Sequence, residues 1–214
     1  MRIARRRLLL SVPALLVARP TYALPVPASN ALRFDIVRNG SVIGTHSLLF
    51  EPVDDALTVR IAADISIGLG PITLFRYRHR AVEHWQRGEI TALDAETNDD
   101  GTVERTTVRR SGRILVVDGT KSGRYEAPPG TLPATHWNRQ MLEGPMINTQ
   151  DGRLMRPTVT RLGPRRLDGP RPIMADEITL RGDADFDTWY DSNPTWVGLR
   201  FTARDGSVVR YQRQ

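Results

Sequence analysis

The chain has 214 residues, 30 of them Lys or Arg against 24 Asp or Glu, and no cysteine. It is long enough for one domain with a real core, and the missing thiols exclude disulfides, thiolate nucleophiles, iron–sulfur clusters, thiolate zinc sites and a lipoprotein anchor. The formal charge of +6 is mostly a property of residues 1–28, which hold Arg2, Arg5, Arg6, Arg7 and Arg19 and no acid, leaving 25 basic against 24 acidic side chains thereafter; a nucleic-acid binder would need a basic footprint that this balance lacks.

The N-terminus reads as an address. MRIARRR is basic, and LLLSVPALLV (8–17) is an apolar run of ten residues, too short for a bilayer, which takes roughly twenty. Thr21-Tyr22-Ala23 supplies a small residue for cleavage. The pattern predicts a signal peptide over 1–23, with an alternative end at 28 after Val26-Pro27-Ala28. Arg5-Arg6-Arg7 fits a loose twin-arginine pattern, so a Sec or a twin-arginine route are both open. The mature protein is expected to be periplasmic or secreted, with no integral membrane segment. A disordered linker is expected over 24–31, then a single β-barrel-like domain over 32–212.

Beyond the linker, period two dominates. LTVRIAADI (57–65) places Leu57, Val59, Ile61, Ala63 and Ile65 on one face and Thr58, Arg60, Ala62 and Asp64 on the other, the signature of a half-buried strand. Turn dipeptides recur at Asn39-Gly40, Arg87-Gly88, Asp100-Gly101, Ser111-Gly112, Asp118-Gly119, Asp151-Gly152 and Asp205-Gly206. Asn-Gly and Asp-Gly suit hairpin turns with two positive φ angles. Strands this evenly spaced predict an all-β fold, an antiparallel meander of ten to twelve strands closed into a barrel or half-barrel. One stretch departs from alternation and predicts a short helix near 134–142, ended by Gly144. GPRRLDGPRP (163–172) predicts an exposed loop. In the hairpin 183–203, sorting the faces pairs Tyr190 with Thr195, Trp189 with Trp196 and Asp185 with Arg200.

LFRYRHRAVEHW (74–85) concentrates three arginines and two histidines among aromatics. As a strand it puts Arg76, Arg78, Arg80 and His84 on one face, a solvated charged stripe. The other face carries Phe75, Tyr77, His79, Glu83 and Trp85. Pairing through a turn at Arg87-Gly88 sets Trp85 opposite Ile90 and His79 opposite Glu96. A His–carboxylate pair is half of a catalytic constellation, but no G-x-S-x-G or H-E-x-x-H motif accompanies it. His46, His79, His84 and His136 lack ligand spacing, so no metal site and no cofactor are expected. Asp183, Asp185, Asp187 and Asp191 lie along a line instead of wrapping a cation. His-Trp-Asn (136–138) and the turn NTQDGR (148–153) read as local turn and cap chemistry.

FDIVRNGSVIGTH, FRYRHRAVEHWQRGEI with DDGT, HWN, NTQDGR and WYD…WVGLRF together resemble an uncharacterised family of exported bacterial proteins of unknown function, from about Leu32 to Tyr211. That family is similar in layout to periplasmic proteins with a strongly curved antiparallel sheet, among them half-barrel carriers of lipoproteins and lipids. The resemblance implies a fold and a compartment and transfers no catalytic residue. The leading expectation is therefore non-enzymatic binding of a lipid or other amphipathic small molecule on a concave face lined by Phe75, Tyr77, His79, Glu83, Trp85, Glu96 and Trp137, aromatics giving apolar contact and His79 with Glu96 fixing a polar head. The alternatives are a structural or protein-interaction module whose interior is filled by its own side chains, and a hydrolase using His79 with a carboxylate.

Overall fold

The computed structural model describes residues 24–69, 72–203 and 205–214, and the expected signal peptide over 1–23 lies outside the described residues. The chain runs β1 (Ala31–Arg38), β2 (Ser41–Val53), β3 (Ala56–Leu69), β4 (Ile72–Gln86), β5 (Glu89–Asp99), β6 (Thr102–Ser111), β7 (Ile114–Gly119) and β8 (Gly123–Ala127). After an irregular stretch bearing β9 (Leu132–Pro133), β10 (Met146–Ile147) and β11 (Leu154–Met155), it continues as β12 (Thr158–Leu167), β13 (Ile173–Arg181), β14 (Phe186–Tyr190), β15 (Trp196–Thr202) and β16 (Val208–Arg213). The alternation seen in the sequence is the alternation of burial: Leu57, Val59, Ile61 and Ala63 are buried, and Arg60 between them is exposed.

Thirteen strands make one sheet in the order β12-β13-β14-β15-β16-β1-β2-β3-β4-β5-β6-β7-β8. The first strand thus pairs with the last in mid-sheet, Phe34 opposite Arg213 and Ile36 opposite Tyr211, and the meander proceeds outward on both sides. Turn chemistry drives this. Asn39-Gly40, Arg87-Gly88 and Asp100-Gly101 all have two positive φ angles, from 50° to 96°, the geometry whose twist matches the flanking strands.

The stretch between β8 and β12, residues 128–157, does not run round the outside. Its side chains lie against both halves of the sheet, which therefore curls around it. Trp137 packs edge-on against Phe50 of β2 and Trp85 of β4, ring centroids 5.3 Å apart in each case. The Tyr190 hydroxyl of β14 donates to the His136 carbonyl (2.7 Å), and that of Tyr125 on β8 donates to the Gly152 carbonyl (2.8 Å). Trp137, Met141, Leu142, Met146 and Ile147 are all buried in the main core. We call this stretch the plug. It carries its own small sheet, β9 parallel to β10 and β10 antiparallel to β11.

The helix expected near 134–142 is a single 3-10 turn, Arg139–Glu143, capped by the Asn138 side chain, which accepts from the Gln140 amide, and ended at Gly144. The chain before it is held out of helical geometry: His136 has φ of 68° while its carbonyl is bonded to Tyr190. The loop expected at 163–172 shrinks to Asp168–Pro172. Gly163 to Leu167 complete β12 in register with Glu177 to Ile173, after a bulge at Leu162. Nor is 24–30 without contacts, as a disordered linker would be: Leu24 and Val26 pack on the core, and the Phe50 amide donates to the Asn30 carbonyl. Apolar side chains packed on the main core explain the difference.

One glycine contact seats the plug. Gly119, expected in a turn, is the last residue of β7, and a Cβ there would sit 2.6 Å from the Asp151 carbonyl oxygen and 2.7 Å from the Gly152 Cα. Both are backbone atoms and neither can swing aside. Gly119→Ala should therefore destabilise the protein by about 1–3 kcal/mol, the usual cost of overpacking, measured by urea unfolding; an unchanged midpoint would mean that the 148–152 turn is not seated there.

Candidate functional site

The concave face holds the polar groups that the sequence singled out, in two clusters. In the first, Glu83 of β4 is wholly buried. Its Oε2 accepts from the indole N–H of Trp85 (2.9 Å) and from that of Trp137 (2.8 Å). One carboxyl oxygen thus ties the plug to the sheet wall. Its Oε1 makes no hydrogen bond, with Thr135 alongside but outside good geometry. Burial pushes the Glu83 carboxyl above the usual carboxylate range, against the opposing pull of Thr135, Trp85 and Trp137. A proton on Oε1 would give that atom a donor's role toward Thr135.

The second cluster is a row across the sheet. Phe34 stands opposite His46, His46 opposite Ala63, Ala63 opposite His79, His79 opposite Thr97 and Thr97 opposite Glu104. His79 Nδ1 lies 2.8 Å from the Thr97 hydroxyl and Nε2 lies 3.4 Å from that of Thr149 on the plug. His46 is buried among Phe34, Trp196 and Tyr211 with neither ring nitrogen hydrogen-bonded. His136 of the plug stacks on the other side of this group, its ring 5.1 Å from that of Trp196. All three imidazoles are held below their ordinary value of 6.5. His46 falls to about 3, through burial first and then the neighbouring His136 and His79. His79 falls to about 4, through burial and then Arg80, and His136 to about 4 through burial.

Of the residues predicted to line the face, Glu83, Trp85 and Trp137 meet directly. His79 is buried a few residues along the same strand, and Phe75 and Tyr77 are half-buried beyond it. Glu96 is not there. A bulge at Thr91 lets Trp85 face Ile90 as expected but sets His84 opposite Ala92, so that every later pair slips by one: His79 faces Thr97, and Glu96 faces Arg80. Glu96 is exposed on the outer face, where it pairs with Arg105 (2.8 Å). The slip sorts the faces. Leu93 and Ala95 turn inward, while Asp94 joins Arg109 (2.5 Å) and the arginine stripe of β4 shares its acids, Arg80 meeting both Asp64 oxygens at 2.8 Å. A second bulge separates Trp189 from Trp196. Trp189 faces Gly198 on the outer wall and Trp196 faces Tyr190 inside, and Arg200 meets Asp187 instead of Asp185. Neither His46 nor Trp196 was among the residues expected to line the concave face. His46 was legible, since it shares the alternation of Leu48 and Phe50.

Among the described residues no group of three or more His, Asp or Glu side chains is placed to hold a metal ion. No helix among them is long and apolar enough to cross a membrane.

The buried groups give stability a definite pH dependence. Keeping the three histidines neutral contributes stability that is complete above the unfolded value of about 6.5 and is lost as pH falls through it toward the folded values. Glu83 acts in the opposite sense, its contribution complete below about 4.3 and declining as pH rises. Between pH 6.5 and 4.5 three groups outweigh one, so acidification should destabilise the fold. In urea titrations over that window, His46→Phe should flatten the slope by about one proton, ~1.4 kcal/mol per pH unit, and Glu83→Gln should steepen it. Identical slopes in wild type and both variants would contradict the buried neutral assignment.

Three comparisons bear on this geometry. Residues 34–214 match the model of a family described as a domain of unknown function, DUF6134. No curated protein matches the sequence. A crystal structure described as the beta-barrel-like protein of domain of unknown function DUF1849 from Brucella abortus is similar in fold, with a TM-score of 0.59 over 86% of this chain and 94% of that one at 10% identity. The chain belongs to the DUF6134 family.

Proposed function

We propose that this DUF6134 member is a non-enzymatic module of the bacterial cell envelope, exported by its N-terminal signal and working through its outer wall instead of an internal ligand cavity. The observation that supports this reading is the plug. An apolar ligand on the concave face, the leading expectation from sequence, would have to displace Trp137, Met141, Leu142, Met146 and Ile147, five side chains that the chain itself supplies and buries. Emptying a site that holds a tryptophan costs about 3–5 kcal/mol, which a lipid would have to return in full before binding showed any net gain.

The same geometry argues against the hydrolase reading. His79 bonds two threonine hydroxyls, is held neutral by burial, and has its presumed carboxylate partner, Glu96, on the opposite face of the sheet. A base needs a reachable proton within hydrogen-bond distance, and the plug covers this one.

Native mass spectrometry of the mature protein purified from the periplasm of its own host, then offered vesicles of that host's envelope lipids, tests the proposal. A clean mass beginning after the signal peptide, unchanged by the lipids, is expected. A discrete co-purifying lipid would overturn it in favour of a carrier, and an uncleaved N-terminus would overturn the exported location.

A further inference from the structure

The outer wall carries one feature that the fold does not need. The β12–β13 hairpin bends over the outer face, and Leu167 near its tip lies on Gly198 of β15: a Cβ at Gly198 would stand 2.9 Å from a Leu167 methyl. Leu167, Ala175, Trp189 and Val197 form a small apolar cluster of their own outside the barrel. Between hairpin and wall lies a cleft of about 390 Å³, lined by Arg166, Leu167, Asp168, Trp189, Arg200 and Arg210 among others. That volume falls within the roughly 300–1,000 Å³ range of small-molecule sites.

Its charges are arranged for an anion. Arg200 and Arg210 are direct cross-strand neighbours; Arg200 is compensated by Asp187 and, at 3.6 Å, by Glu177, and like charges face each other wherever such compensation is missing. Arg200 is held rigidly. It donates to Asp187 from Nε (2.9 Å) and from a terminal nitrogen (2.5 Å), and its guanidinium sits 5.3 Å from the centre of the Trp189 ring. Asp187 is fixed from its other oxygen by Arg181 (2.7 Å). Although burial works to raise it, the bonds from both arginines hold that carboxyl below its ordinary value. Arg166 is answered by Asp168 (2.9 Å). Arg210 is exposed and finds no carboxylate in ion-pair range among the described residues. On the same wall Trp189 is 4% exposed, and its indole N–H meets no acceptor. A buried donor left unpaired is costly, and Trp189 lines the same cleft as Arg210.

We propose that this cleft binds a small organic anion, a phosphate or carboxylate on a flat apolar body, with the oxyanion on Arg210 beside Arg200 and the body against Leu167, at the cleft-facing edge of the Trp189 cluster. A guanidinium receives either oxyanion through paired N–H donors, so the headgroup chemistry is shared. The proposal deepens the reading of the outer wall as the working surface. It is tested separately from it, because lipid in the barrel interior would leave a titration of the wall unchanged.

The test is a titration by ¹H–¹⁵N NMR, following the Trp189 indole and arginine Nε resonances of the mature protein with phenyl phosphate, benzoate and inorganic phosphate. Saturable shifts confined to the cleft are expected, with at least one of the two aromatic anions binding more tightly than inorganic phosphate. Arg210→Gln should weaken binding roughly tenfold or more, as loss of a charged hydrogen-bond donor does, with the rest of its spectrum intact. Arg105→Gln, on the outer face of β6, should leave it unchanged. Shifts that never saturate, binding equal in Arg210→Gln and wild type, or inorganic phosphate binding as tightly as both aromatic anions would each overturn the assignment.

Discussion

A carboxyl oxygen with two indole donors holds this molecule's architecture together. A curved sheet of thirteen strands encloses a space that must be filled, since a void forfeits both contacts and hydrophobic transfer. The chain fills it by leaving the sheet after β8 and passing through the interior to β12. Such a detour puts backbone and polar side chains where water cannot reach, and each needs a partner. Glu83 meets that need at the centre, bridging a tryptophan of the wall and one of the plug. Around it Tyr125, Tyr190 and Thr149 do the same for the two flanks of the detour.

The mainly apolar interior therefore holds polar groups by necessity, which bears on how those residues should be read. Buried histidines and a buried glutamate with displaced pKa values are the pattern that flags functional sites. Here the same pattern follows from anchoring an internal segment. His46, ringed by aromatics with no hydrogen bond, behaves as a flat aromatic side chain that pays a polar cost. The outer wall differs. There Arg200 is neutralised by Asp187 and Glu177, while Arg210 opposite it has no carboxylate in ion-pair range among the described residues.

Much of the architecture was legible in the sequence because period two and turn dipeptides are local signals. The sheet, the hairpins at Asn39-Gly40, Arg87-Gly88 and Asp100-Gly101, and the burial of Glu83, Trp85 and His79 all followed from alternation along single strands. What failed was register. The bulge at Thr91 inserts a residue without a marker such as glycine, the one beside Trp196 has only Gly198 to signal it, and one residue moves a side chain to the opposite face. The face-sorting test would have exposed the first, because the unbulged register buries Asp94 and exposes Leu93. The plug was legible only in part, through the loss of alternation near 134–142 and the place of Trp137 on the concave face. Its apolar residues lack periodicity, and only the three-dimensional closure of the sheet tells them where to go.

The pairing of β1 with β16 has a consequence for how the molecule reaches this state. The two flanks of the sheet, β1–β8 and β12–β16, share a single ladder, and its two strands stand nearly at opposite ends of the described chain. Joining them closes a loop of some 170 residues, and the plug can be enclosed only once both flanks exist. Folding dominated by such distant contacts is slow, and strand edges stay unpaired in the interim. A chain delivered from its N-terminus would expose the β1 edge until its final strand arrived. The topology thus requires the chain to stay unaggregated until the last six-residue strand is available.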